Sequence, residues 1–126
     1  MKLILALRVG YQKAFCAIDF KCKNLFEITS QELLIFESAS KWLIDPPREG
    51  AFSLVKALVD LLQDDSLSEV WSAPKRIVYI SCNPATLARD AGILTQLGLY
   101  KCTATGMVNM FPHTAHVESV TVFDLN

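Results

Sequence analysis

Three side chains in this sequence have types and settings that suit chemistry. Cys82 stands in "RIVYISCNPATLARD" (76–90), after an apolar run and just before a Pro-started segment. A thiol at the mouth of a helix N-terminus meets the positive end of the helix dipole, which favours the thiolate, the nucleophilic form. Glu118 stands in "HTAHVES" (113–119), at the head of a Val- and Thr-rich run. Glu is depleted in strands, so its presence there suits a general base at a strand end. Asp45 opens "DPPREG" (45–50), where two prolines make a rigid turn that fixes a carboxylate. Each has a plainer reading as well. Cys82 can be a small buried hydrophobe, as free cysteines usually are. Glu118 can be a solvated edge residue, and "DPPREG" a simple strand-ending turn. His113 and His116 are alternative bases or loop-capping groups.

The elements that must position these residues follow from the hydrophobic pattern. "KWLID" (41–45) is a short apolar run ending at the double proline. Leu54, Val55, Leu58, Val59 and Leu62 form the stripe of an amphipathic helix. "RIVYIS" (76–81) is nearly unbroken apolar sequence, as in a strand buried on both faces. Asn83 and Pro84 suit an N-cap and first turn, Leu87, Ala91 and Leu94 share one face of the helix that follows, and Gly98 suits its stop. Upstream, Thr29 and Glu32 have capping-box spacing, and "AFCAI" (14–18) reads as a short strand. "LYKCTATGMV" and "HVESVTVFDL" read as two late strands flanking the loop "NMFPHTA". Strands alternating with helices predict an α/β fold with a mostly parallel sheet, and the closing pair predicts one antiparallel member near the end. In such sheets ligands gather beyond the carboxyl ends of the strands, where Asp45, Cys82 and the 109–118 loop converge.

Composition narrows the function classes. The chain has 126 residues, 52% of them hydrophobic, with a formal net charge of −1. That suits one domain or part of one, with a sizeable core and no general nucleic-acid-binding charge. Cys16, Cys22, Cys82 and Cys102 form no C-x-x-C pair, and neither His lies at zinc-ligand spacing, so no metal site is expected. Cys16, Cys22 and Cys102 are read as small buried hydrophobes. "MKLILAL" is too short for a signal-peptide core and no run is long enough for a membrane span, so a cytoplasmic protein with reduced thiols is expected.

Taken together, "KWLIDPPREGA", "IVYISCNPATLARD" and "VNMFPHTAHVESVTVF" resemble the S-adenosylmethionine-dependent RNA uracil-5-methyltransferases. The branch that methylates uridine in large-subunit ribosomal RNA is the closer likeness and the transfer RNA branch the next, over roughly residues 14 to 126. The resemblance implies the C-terminal part of a Rossmann-like class I methyltransferase sheet. It implies Cys82 as nucleophile on uracil carbon 6, Glu118 as the base for the carbon 5 proton, and Asp45 and Asn24 at the S-adenosylmethionine site. It also implies a base flipped from its stack. Phe111 could stack on that base, though an apolar loop residue is more often a core plug, and Arg48, Lys75, Arg76 and Arg89 could meet phosphates, though most surface Arg and Lys are only solvated. The five glycines, at 10, 50, 92, 98 and 106, include no G-x-G-x-x-G. The family's N-terminal RNA-binding region and the ribosomal branch's iron–sulfur cluster have no counterpart in these residues. Residues 1–126 are therefore expected to be a partial catalytic domain without the glycine-rich cofactor half. Such a domain would bind cofactor poorly alone, and would self-associate or join a missing N-terminal half. The principal alternative is a non-catalytic RNA-binding or assembly fragment of such an enzyme. A thiol hydrolase pairing Cys82 with His113 or His116 and an amino-group methyltransferase using the Asp-Pro-Pro turn are further competitors. The latter class usually has an aromatic after the prolines, where this chain has Arg48.

Overall fold

The "RIVYIS" run lies at the centre of the molecule. In the computed structural model, which describes residues 2–4, 22–35, 38–64, 66, 71–110, 113, 114 and 116–126, it forms strand β4 (Arg76–Ser81). The preceding elements are β1 (Lys2–Ile4), β2 (Cys22–Asn24), α1 (Ser30–Ile35), β3 (Lys41–Ile44) and α2 (Phe52–Leu62). After β4 come α3 (Pro84–Thr95), a 3-10 turn (Gln96–Gly98), β5 (Tyr100–Val108) and β6 (Glu118–Leu125). The expected strand at 14–18 and Phe111 lie outside the described residues.

A four-stranded sheet has the order β3-β4-β6-β5. β3 pairs with β4 in parallel, and β6 runs antiparallel to both β4 and β5. β3, β4 and β5 therefore share one direction and β6 alone opposes them, which is the mixed sheet expected from sequence. β1 and β2 form a separate antiparallel pair.

Register assigns the faces. Trp42, Ile44, Ile77, Tyr79 and Phe123 alternate onto one face, where Leu54, Val55, Ala57, Leu58 and Leu61 of α2 and Leu94 of α3 close the core. The opposite face is less covered by described residues: Val78 and Ile80 are half-buried, and Leu43 is 55% exposed. β4 is thus fully buried on one face only, a departure from the two-sided burial its sequence suggests. Cys102 departs further, lying exposed on the edge strand β5. β5 pairs on one side only and a bulge separates Cys102 from Ala104, so little covers that thiol.

Local signals act as their chemistry demands. Glu32 accepts from the Thr29 backbone N–H (3.1 Å) while Thr29 Oγ1 accepts from Glu32 N–H (3.3 Å), closing the capping box of α1. The Lys23 ammonium also binds Glu32, and that pairing, with the Thr29 N–H, holds the Glu32 carboxyl below its usual range. Asn83 caps α3 through Oδ1, which accepts from Ala85 N–H (3.1 Å), with Pro84 in the first turn. α3 stops where Leu97 and Gly98 both take positive φ (67°).

Candidate active site

The strand ends bring the sequence-selected residues to one edge of the sheet. Asp45 follows β3 directly, Cys82 follows β4, and Glu118 opens β6. The last β4–β6 pair is Ser81 with Ser119, so one step further along the same register Glu118 stands level with Cys82. Val108, the last residue of β5, pairs with Glu118 from the other side. Cys82 is a free thiol and is half-buried, as is Glu118, while Asp45 is exposed.

Ser81 holds the turn that carries Cys82. Its buried hydroxyl donates to the Asn83 carbonyl (2.9 Å) and accepts from Asn83 N–H (3.1 Å), clasping the chain across Cys82. Because Asn83 is the N-cap of α3, Cys82 lies immediately outside the helix N-terminus. No group of three or more His, Cys, Asp or Glu suited to a metal ion occurs among the described residues.

Asn24 lies outside the four-stranded sheet. Its Oδ1 accepts from Phe26 N–H (3.2 Å), and the Phe26 carbonyl accepts from Ser53 Oγ (2.5 Å) in the first turn of α2. That tie fastens the Asn24 turn to the helix that begins just after the Asp45 loop. His113 has positive φ (68°) and, like His116, is exposed.

The four cations separate into two pairs. Lys75 and Arg76 lie at the opposite edge of the sheet, and Arg76 forks onto Asp124 (2.6 and 2.9 Å), holding that carboxyl below its usual range together with Thr103. Arg48 and Arg89 lie at the Cys82 edge. Arg89 stacks over the Phe52 ring (5.3 Å to the centroid) and donates to the Glu49 carbonyl (2.9 Å).

Sequence reading overlooked Tyr79 and Asp90, both fully buried. Asp90 Oδ2 accepts from the Tyr79 hydroxyl (2.6 Å) and from Ala51 N–H (2.8 Å), and Oδ1 accepts from Arg89 Nε (2.8 Å). Burial, reinforced by the Asp90 carboxyl, raises the Tyr79 phenol well above its ordinary value. A signal was available in the sequence. Position 90 falls on the same stripe as Leu87, Ala91 and Leu94, and an acidic residue on a core-facing stripe needs buried partners.

Comparison with known proteins agrees with this geometry. The tRNA (uracil-5-)-methyltransferase family model matches residues 19–124, and the chain belongs to that family. A 23S rRNA (uracil(1939)-C(5))-methyltransferase RlmD from Acidovorax sp. (strain JS42) is 54% identical over 121 residues, covering 88% of this chain and 25% of its own length. The protein of that name from Cupriavidus pinatubonensis is 50% identical over 115 residues, covering 91% and 24%. Among solved structures, the Pyrococcus abyssi tRNA (uracil-54, C5)-methyltransferase in complex with S-adenosyl-L-homocysteine superposes with a TM-score of 0.61 at 31% identity, over 86% of this chain and 22% of that one. The sheet is thus a Rossmann-like methyltransferase sheet, and the chain spans about a quarter of the length of the curated relatives it matches.

Proposed function

We propose that this chain carries the base-attacking edge of an RNA uracil-5-methyltransferase, with Cys82 as nucleophile and Glu118 as general base. The observation that carries the reading is the register that sets Glu118 level with Cys82 at the carboxyl edge of the sheet. Carbon 5 of uracil is a weak nucleophile. The Cys82 thiolate adds to carbon 6, a C–S bond forms, and the ring electrons move onto the carbon 4 carbonyl as an enolate, which makes carbon 5 reactive. S-adenosylmethionine supplies a methyl group on a sulfonium to that carbon when bound. Glu118 then takes the carbon 5 proton, the ring double bond re-forms, and the thiolate leaves.

Asp45 suits a role toward the cofactor. It is exposed beyond β3 at the edge where ligands of such sheets sit, and no described residue donates a hydrogen bond to its carboxylate. Its oxygens would accept from a hydroxyl or amino group of the cofactor, and Asn24, fastened to the start of α2, would assist. The substrate proposed is ribosomal RNA rather than transfer RNA, supported by about half identity to the relatives named for 23S rRNA against 31% to the tRNA enzyme. Residues 1–126 are proposed as part of a larger catalytic domain.

Attack and proton removal need only this chain's residues, and they leave a trace without any methyl donor. Reversible addition of Cys82 to carbon 6 lets carbon 5 exchange its hydrogen with water. An oligonucleotide bearing uridine tritiated at carbon 5 is expected to release tritium with the 126-residue chain. Cys82→Ala should abolish release, and Glu118→Gln should slow it by roughly 100-fold or more, as loss of a general base does. Release that survives Cys82→Ala would refute the reading, and no release from the wild-type chain would leave the non-catalytic alternative standing.

A further inference from the structure

Several bonds tie the loop bearing Asp45 to one helix and its N-cap. Asn83 Nδ2 donates to the Arg48 carbonyl (3.1 Å), and Thr86 Oγ1 donates to the same oxygen (3.1 Å). Arg89 Nη2 reaches the Glu49 carbonyl (2.9 Å), and Asp90 Oδ2 accepts from Ala51 N–H (2.8 Å). Residues 83, 86 and 90 are spaced to fall on one face of α3, so successive turns grip successive loop residues. Gly50 lies so close to α3 that a Cβ there would stand 2.7 Å from Asp90 Oδ2 and 3.1 Å from Thr86 Cβ. α2 has no side-chain cap of its own, and Asp90 supplies an acceptor at its N-terminus from another helix. Tyr79 orients that carboxyl from β4, three residues before Cys82.

We infer that Asp90 is a positioning residue which, held by Tyr79, latches the Asp45–Ala51 loop to α3 and so fixes the cofactor-side residue Asp45 relative to Cys82. The inference rests on the function proposed above for what Asp45 meets, but the latch itself is testable without it. The two donors to Asp90 Oδ2 come from the end of the loop (Ala51 N–H) and from the strand leading to Cys82 (the Tyr79 hydroxyl), while Oδ1 takes its bond from Arg89 of α3, which itself reaches the loop at Glu49. A carboxyl needed only to fill space on a core-facing stripe would be replaced by Leu or Ala at no cost in buried polar partners.

The test uses matched deletions of one buried hydroxyl. Tyr79→Phe removes the hydroxyl that holds Asp90 and that also accepts from Ala51 N–H (3.1 Å), so faster exchange at Ala51 speaks for Asp90 only where Asp90→Asn shows it too. Tyr100→Phe removes one that donates to the Pro74 carbonyl (2.7 Å) at the far edge of the sheet. Asp90→Asn keeps the shape of the side chain, and its effect guards against misfolding of Asp90→Ala. Two readouts need no ligand: amide exchange at Ala51 and tryptic cleavage after Arg48. Both are expected to quicken by about tenfold or more in Tyr79→Phe and Asp90→Asn, and not in Tyr100→Phe, since local opening is governed by local bonds. A third readout is saturation transfer to S-adenosylhomocysteine at millimolar concentration. Its loss in the two latch variants should exceed any loss of tritium release by about tenfold, because misplacement falls on the loop rather than on Cys82. Unchanged exchange and cleavage would overturn the latch, and equal losses of saturation transfer and tritium release would overturn its positioning role. A wild-type chain without tritium release would instead count against the proposed function, and one without saturation transfer against the cofactor role of Asp45, with the positioning role falling in that case. In both cases the exchange and cleavage results still decide the latch.

Discussion

At the scale of single residues the sheet edge separates two kinds of constraint. Cys82 and Glu118 are placed by backbone: a strand end, a helix cap and a strand start. The side chains that help set the Cys82 turn, Ser81 and Asn83, are its immediate neighbours in sequence, so the positions of both residues were legible from local pattern. Gly50 is constrained differently. Its φ of +81° is a conformation that disfavours any Cβ, and the space a Cβ would fill is already taken by Asp90 Oδ2. Gly50→Ala is therefore expected to destabilise the chain by at least about 1–2 kcal/mol from the backbone alone. The added crowding acts on the acceptor that caps α2. Urea unfolding with unchanged slope would check this, and a wild-type midpoint would show that the loop relaxes freely. By the same logic a methyl added at Gly92, Gly98 or Gly106 would meet no atom within 4 Å, and only Gly98, at φ +67°, would feel strain.

At the scale of elements, much of the fold was readable and the exceptions have physical causes. The capping box, the α2 stripe, the Asn-Pro start of α3 and the Val- and Thr-rich run of β6 are all local patterns, and each forms where the sequence places it. The sheet's single reversed strand followed from the closing pair of late strands. What escaped was non-local. Nothing in the order of residues shows that Asp90 meets a backbone N–H 39 positions away, or that Arg76 forks onto Asp124 rather than facing a phosphate. Cys102 escaped because its exposure depends on β5 being an edge strand, a property of strand order and not of composition.

The strands also carry a pH signature. Tyr79 and Tyr100 both lie buried in the sheet, and burial raises both phenols above their ordinary value, with Asp90 adding to the effect at Tyr79. A raised folded-state value contributes stability that is fully present below the unfolded value near 10 and is lost as pH climbs beyond it. Absorbance at 295 nm is expected to show these two phenols still protonated in the native chain above about pH 10 and ionising together with unfolding. Titration near 10 of more than one of the chain's three tyrosines before any loss of helical circular dichroism would contradict the burial of Tyr79 or Tyr100.

At the scale of the whole molecule, the two halves of the proposed reaction have unequal support in these residues. Cys82 and Glu118, the proposed nucleophile and base, and the loop at Asp45 lie on consecutive strand ends of one sheet. A nucleotide-like cofactor ordinarily also meets a glycine-rich turn, where backbone N–H groups and a helix N-terminus approach it closely. The sequence contains no G-x-G-x-x-G, and the residues proposed to meet the cofactor are Asp45 and Asn24. One carboxylate and one amide make few bonds, and binding must first offset the lost freedom of the ligand. Isothermal titration of the 126-residue chain with S-adenosylmethionine is accordingly expected to give a Kd weaker than about 100 μM, a free energy short of roughly −5.5 kcal/mol. The same chain should nonetheless release tritium from carbon 5, because the proposed exchange uses Cys82 and Glu118 and no cofactor. Micromolar cofactor binding would mean that the described residues build a fuller site than Asp45 and Asn24 supply, and the division of labour drawn between loop and nucleophile would then be wrong.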